Sequence, residues 1–184
     1  MKTRLSIPRV EPAPESEWSD EQRELLEGYQ KPILGIFRTL VRHPKLLKRW
    51  RVFGSHVLYK QTLPARDREI LILRIGWLCQ AAYEWHAHVR IGRGVGLSDE
   101  DIERIEQGPE APGLDAFEAV LLRAVDELRA DAMLGDATWK ALAERYDTRQ
   151  MMDLIFTVGQ YQLVSMALNS LGVQIADAEA AASE

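Results

Sequence analysis

The stretch Leu63 to Ile102, LPARDREILILRIGWLCQAAYEWHAHVRIGRGVGLSDEDI, decides the fold class. Seven of the nine residues from Ile70 to Leu78 are apolar, which puts greasy side chains all round a helix instead of along one stripe. A helix of that kind belongs at the centre of a bundle. Pro64 precedes it at a position a helix start tolerates. A second helix follows with Tyr83, Glu84, Trp85, His86 and His88, and the glycines 92, 94 and 96 end it and turn the chain toward a Ser98 cap.

Working outward, the same start signals recur. Ser19 caps DEQRELLEGYQ, Pro32 opens PILGIFRTLVRH, and Pro44 opens KLLKRWRVFGSHVLYKQ. Asp115 with Glu118 reads as a capping box, Asp136 as the cap of ATWKALAERY, and Asp147 with Gln150 as the start of a long uncharged helix. No segment alternates as a strand between hairpin turns. The expected class is all-α, about eight helices, with residues 1–18 as an extended arm, 19–176 as one helical domain and 177–184 as a frayed acidic tail. GPEAPG, 108–113, reads as the clearest loop, between an amino-terminal and a carboxy-terminal helical layer.

Composition narrows the function classes. The chain has 184 residues, 46% of them apolar, and a single cysteine, Cys79, so it can build an ordinary core and forms no internal disulfide. With 28 acidic against 23 basic residues the net charge is −5, which disfavours nucleic acid as a partner. The basic run RHPKLLKRWR, 42–51, is read as a solvated helix face around Leu46 and Leu47. Leu154 to Ala176 runs 23 residues without a formal charge, but amides and glycines interrupt it, so it reads as a buried or subunit-contact helix and not as a membrane span. The amino terminus lacks the apolar core of a signal peptide, and a cytoplasmic location is expected.

Chemistry concentrates on Glu69, Glu84 and His88. Glu84 and His88 are four apart and share a helix face, where a carboxylate fixes the imidazole tautomer and favours the charged ring. The plain alternative is a surface ion pair. Glu69 either borders the apolar interior, where desolvation suits it to proton transfer, or is a solvated first-turn acid paired to Arg66 or Arg68. His86 points elsewhere, and its spacing of two from His88 does not make a metal site. Tyr83 and Trp85 are candidate substrate-wall residues.

Glu69, eleven residues, Ala81, two residues, Glu84, three residues, His88 is an arrangement that resembles the carboxymuconolactone decarboxylase family, which includes AhpD-like alkylhydroperoxidases. Ala81 and Glu84 stand where the redox members have a Cys-x-x-Cys pair, so the resemblance is to a non-redox branch. RDREILILR, 66–74, and GLSDEDI, 96–102, are similar to the family's flanking segments. The resemblance implies an AhpD-like helical bundle, assembled as a trimer or hexamer, with its site between helices and no cofactor. It implies a lyase or isomerase resembling γ-carboxymuconolactone decarboxylase, with Glu69, Glu84 and His88 as the acid/base set on a small carboxylated lactone or related ring. A catalytically silent binding or assembly protein is the alternative. A dithiol peroxidase is a third reading, opposed by the missing cysteine pair, which Cys79 does not replace. Ala87 departs from decarboxylase-like relatives that often carry a histidine there.

Overall fold

A computed structural model describes residues 1–29 and 31–175. The expected acidic tail at 177–184 and the end of the domain at 176 lie outside the described residues. Among those described, every regular element is helical: a 3₁₀ turn at Glu15–Glu17, then α1 (Asp20–Leu26), α2 (Gly35–Leu40), α3 (Pro44–Tyr59), α4 (Ala65–Leu78), α5 (Ala82–Gly94), α6 (Asp99–Gln107), α7 (Ala116–Asp131), α8 (Asp136–Ala143) and α9 (Thr148–Leu171). The all-α expectation stands, with nine helices in place of about eight. No helix among them is long and apolar enough to cross a membrane.

The caps explain most boundaries. Ser19 with Gln22, Ser98 with Asp101 and Asp147 with Gln150 each form the reciprocal capping box, in which two otherwise orphaned backbone N–H groups find acceptors. One expected box and two expected starts are corrected. The Glu118 half of the Asp115 box is absent, because its carboxylate is drawn to Arg66 at 2.7 Å. Gly135, not Asp136, occupies the cap of α8. α2 begins at Gly35 rather than Pro32; Ile33 is instead buried in an apolar cluster with Trp18, Leu26, Val41 and Leu47.

The all-round apolar helix is central, as its composition requires. α4 packs against α5, α6, α7 and α9, and Leu71, Ile72, Leu73 and Ile75 have no exposed surface. The loop after α6 therefore does not divide the chain into two layers, since α4 joins both. Of the three charged residues that α4 buries, Asp67, Glu69 and Arg74, the arginine is fully matched: Nε and Nη2 donate to the two carboxylate oxygens of Asp126 at 2.7 and 2.9 Å, and Nη1 to the carbonyls of Ile105 and Glu106. A paired, hydrogen-bonded guanidinium is the form in which an interior tolerates a charge. Gly108, at φ +101°, lies so close that a Cβ there would sit 2.6 Å from Arg74 Nη2.

The amino-terminal arm is extended but docked: the Arg9 and Val10 N–H groups donate to the Leu171 carbonyl, and the Ala13 N–H to that of Arg38. α9 has two faces. Leu154, Val158, Tyr161, Val164 and Leu168 are buried, while Met152, Ile155, Phe156, Leu163 and Met166 are exposed. Two of the four amides in the uncharged stretch are bonded within the chain: Asn169 donates to the Cys79 carbonyl and Gln174 to that of Leu5.

Candidate functional site

Where the amino-terminal cluster meets the main core, a cavity of about 550 Å³ opens between the α1–α2 segment, α3, α5 and α9. Its size falls within the usual range for a small-molecule site. Exposed Tyr59 and Arg90 stand at its rim, and Tyr29, Phe37, Trp50, Tyr83 and Tyr161 give it an aromatic lining.

Glu69, Glu84 and His88 meet at the α4–α5 crossing, all but removed from solvent at 0, 4 and 5% exposure. The solvated first-turn reading of Glu69 is thereby excluded, as is the surface ion pair of Glu84 with His88. His88 lies between the two carboxylates, with Nδ1 2.7 Å from Glu69 Oε2 and Nε2 3.0 Å from Glu84 Oε1. Arg68 Nε donates to the other Glu69 oxygen at 2.9 Å. The row Arg68, Glu69, His88, Glu84 thus alternates in sign and sums to zero when the imidazole is charged. Burial by itself would depress that charge; the nearby Glu84 and Glu69 carboxylates and their hydrogen bonds outweigh it and push the His88 pKa from 6.5 up to about 9.

Glu84 and His88 border the cavity, whereas Glu69 stands behind His88 and away from the lining. With both ring nitrogens engaged, His88 presents no free nitrogen; Glu84 brings the carboxylate to the cavity wall. Tyr83 lines the cavity as expected. Trp85 does not: one helical step of about 100° turns it from the cavity into the core, where its ring lies 5.1 Å from that of Trp77. His86 is bound to the Ala82 carbonyl at 2.8 Å and takes no part. Among the described residues no group of His, Cys, Asp and Glu is arranged to hold a metal ion. Cys79, at the end of α4, is half-buried, and burial pushes its thiol pKa up, the opposite of what thiolate chemistry needs.

Several lining residues escape sequence reasoning. Trp50 and Arg51, in the run read as a solvated face, reach the cavity, and only Leu47 of the two leucines expected at its centre is buried. Gln160 and Tyr161 line it from α9. No local signal marks them, because α9 carries large apolar residues on its exposed face as well, Ile155, Phe156 and Leu163 among them.

Residues 44–127 match the profile of the carboxymuconolactone decarboxylase family. No curated protein matches the chain. Among solved structures, the chain is similar to an alkylhydroperoxidase AhpD core, an uncharacterized peroxidase-related protein from Ralstonia eutropha JMP134, at TM-score 0.76 and 17% identity over 90% of this chain and 92% of that one. A peroxidase-related protein from Silicibacter sp. TM1040 aligns at TM-score 0.73 and 15% identity over 94% and 91%. The debrominase Bmp8, solved as a variant with 2,3,4-tribromopyrrole, aligns at TM-score 0.73 and 13% identity over 96% and 97%. At such identities the likeness is one of fold. The profile match over 44–127 spans both helices of the carboxylate–histidine row, and the chain shares the all-helical fold of these AhpD-like structures.

Proposed function

We propose that the protein is a cofactor-independent lyase or isomerase that moves protons on a small carboxylated lactone or related ring. The observation that carries this reading is the buried Glu84–His88–Glu69 row with its Glu84–His88 end on an aromatic-lined cavity. A structural ion pair needs no cavity, and a buried carboxylate–imidazole pair holding a proton beside one is suited to general acid/base work.

In a decarboxylation the bond to the carboxylate carbon breaks, its electron pair enters the conjugated ring system as a dienolate, and carbon dioxide leaves. The carbanionic carbon then takes the proton held between Glu84 and His88. Glu69 and Arg68 act as positioning residues, fixing the imidazole and balancing its charge. Arg51 and Arg90, both on the lining, supply positive charge for a substrate carboxylate. Peroxidase chemistry of the dithiol kind has no support, since Ala81 and Glu84 stand at the cysteine positions and Cys79 is half-buried without a partner thiol.

The test is carbon dioxide release from a panel of carboxylated lactones. His88→Ala and Glu84→Gln are each expected to lower kcat about 10²-fold or more, the scale of a positioned acid or base. Full activity in both variants would refute the assignment. Because charged His88 is the proton source, activity should fall as pH rises through about 9, and Glu84→Gln, which removes the main charge holding the proton, should move that alkaline limb to lower pH.

The exposed apolar stripe on α9 supports a homo-oligomer, trimer or hexamer, as part of the same proposal. Phe156 meets Phe53 of α3 edge-on at 6.1 Å, so the stripe continues onto a second helix, the kind of contiguous patch that marks an association surface.

A further inference from the structure

Next to the acid/base row, α9 carries two polar side chains that the fold itself does not use. Gln160 and Tyr161 are 5% and 6% exposed and both line the cavity. No side-chain hydrogen bond engages the Gln160 amide or the Tyr161 hydroxyl among the described residues. Neither polar end is among the side-chain atoms sealed from solvent without a partner, so both reach the cavity, and two polar groups turned into an aromatic-lined cavity call for an explanation.

Position supplies one. The Tyr161 ring stands edge-on to His88, centroids 5.0 Å apart, so its hydroxyl shares the cavity with Glu84. Burial and the charges of Glu84 and Glu69 push the phenol pKa well above its ordinary value; the group stays protonated and acts as a donor. Gln160 Nε2 lies 3.6 Å from where a Cβ on Gly54 would be, and the Trp50 ring 3.7 Å from the same point. The missing side chain at Gly54 leaves open the space beside the indole and the amide. The cavity exceeds a single ring: at roughly 30 Å³ per water molecule it is equivalent to about 18 waters.

We propose that Tyr161 and Gln160 form an oxygen-binding subsite for an enolisable cyclic carbonyl compound with room for two rings, in which Tyr161 donates to the oxygen that becomes the enolate while Glu84 exchanges the proton on the adjacent carbon. This rests on the acid/base reading of the same site and names its substrate class. The step balances without a co-reactant. Glu84 takes the proton, the C–H pair becomes the new C=C bond, and the carbonyl π pair moves onto oxygen. The proton then returns from Glu84 to a carbon of the conjugated system, giving an isomer. A donor already in place where negative charge develops is the arrangement that lowers such barriers most.

The probe is 2-naphthol, a stable two-ring enol, with naphthalene as the same shape without oxygen, each titrated by fluorescence at neutral pH. Wild type is expected to bind 2-naphthol at least tenfold more tightly than naphthalene. Tyr161→Phe should remove about 10- to 100-fold of the naphthol affinity, the scale of one hydrogen bond involving a charged or strongly polarised group, and leave naphthalene unchanged. Gln160→Met should cost less and in the same direction. Gly54→Val should weaken both ligands by filling that space. The proposal is overturned if wild type binds neither ligand or both equally. It is also overturned if Tyr161→Phe binds 2-naphthol as wild type does, or if folded Gly54→Val keeps full affinity for both. Binding needs no turnover, so the two readings fail separately. Loss of naphthol binding in Tyr161→Phe with no lactone ever decarboxylated would sink only the lyase reaction. Lactone turnover that is undiminished in Tyr161→Phe would sink only the subsite.

Discussion

Raising the pH from 6.5 to about 9 should destabilise this protein chiefly through one residue, His88. Its pKa is 6.5 in an ordinary environment and about 9 in the folded state, because Glu84 and Glu69 hold the charged ring against the penalty of burial. Below pH 6.5 the ring is charged in both states and the full stabilisation is present. Between 6.5 and about 9 the folded chain keeps the proton that the unfolded chain has released, so stability falls by about 1.4 kcal/mol per pH unit. Over that interval the loss is roughly 3 kcal/mol, which for a chain of this size lowers Tm by about 6–12 °C. Urea unfolding of wild type at pH 6.5, 7.5, 8.5 and 9.5, with proton-detected titration of the imidazole, measures it. His88→Gln should be less stable throughout, since it leaves Glu84 and Glu69 buried with only Arg68, paired to Glu69, to match them, by about 3–5 kcal/mol, and the imidazole's part of the slope should be gone. A wild type whose stability does not change from pH 6.5 to 9, or a His88→Gln variant that keeps the slope, would show that the buried row is not charged as described.

Gly108→Ala should cost about 1–3 kcal/mol in chemical denaturation, because the backbone is left-handed and the new methyl meets the Arg74 guanidinium at 2.6 Å; a change below about 0.5 kcal/mol would contradict that geometry. Light scattering at micromolar concentration should give a multiple of 20.9 kDa, with Phe156→Glu plus Leu163→Glu shifting it toward the single-chain mass. A monomeric wild type would refute the role given to the α9 stripe. Cys79→Ala should leave lactone turnover within a few fold; a peroxide activity that depends on Cys79 and a dithiol reductant would reopen the redox reading.

The sequence by itself determined the helices, and did so through local rules. Capping residues at Ser19, Ser98 and Asp147 act within four residues of themselves, and the apolar density of 70–78 permits only a central helix, so both are legible without knowing the neighbours. The Glu84–His88 pair was legible for the same reason, being one turn apart on one helix. Glu69 is nineteen residues from His88, and its place behind the imidazole depends on how α4 crosses α5, which periodicity does not encode; the family pattern supplied it. The direction of Trp85, read as a wall residue, was settled only when α5 turned that side of the helix onto Trp77. Only the tertiary structure decided that Trp50 and Arg51 leave the solvated face for a cavity, and that α9 turns Tyr161 and Gln160 into it while Phe156 and Leu163 face out. Those outcomes depend on which face of a long, nearly uniformly apolar helix meets its neighbours, and a helix with greasy residues on every side carries no local instruction about that choice.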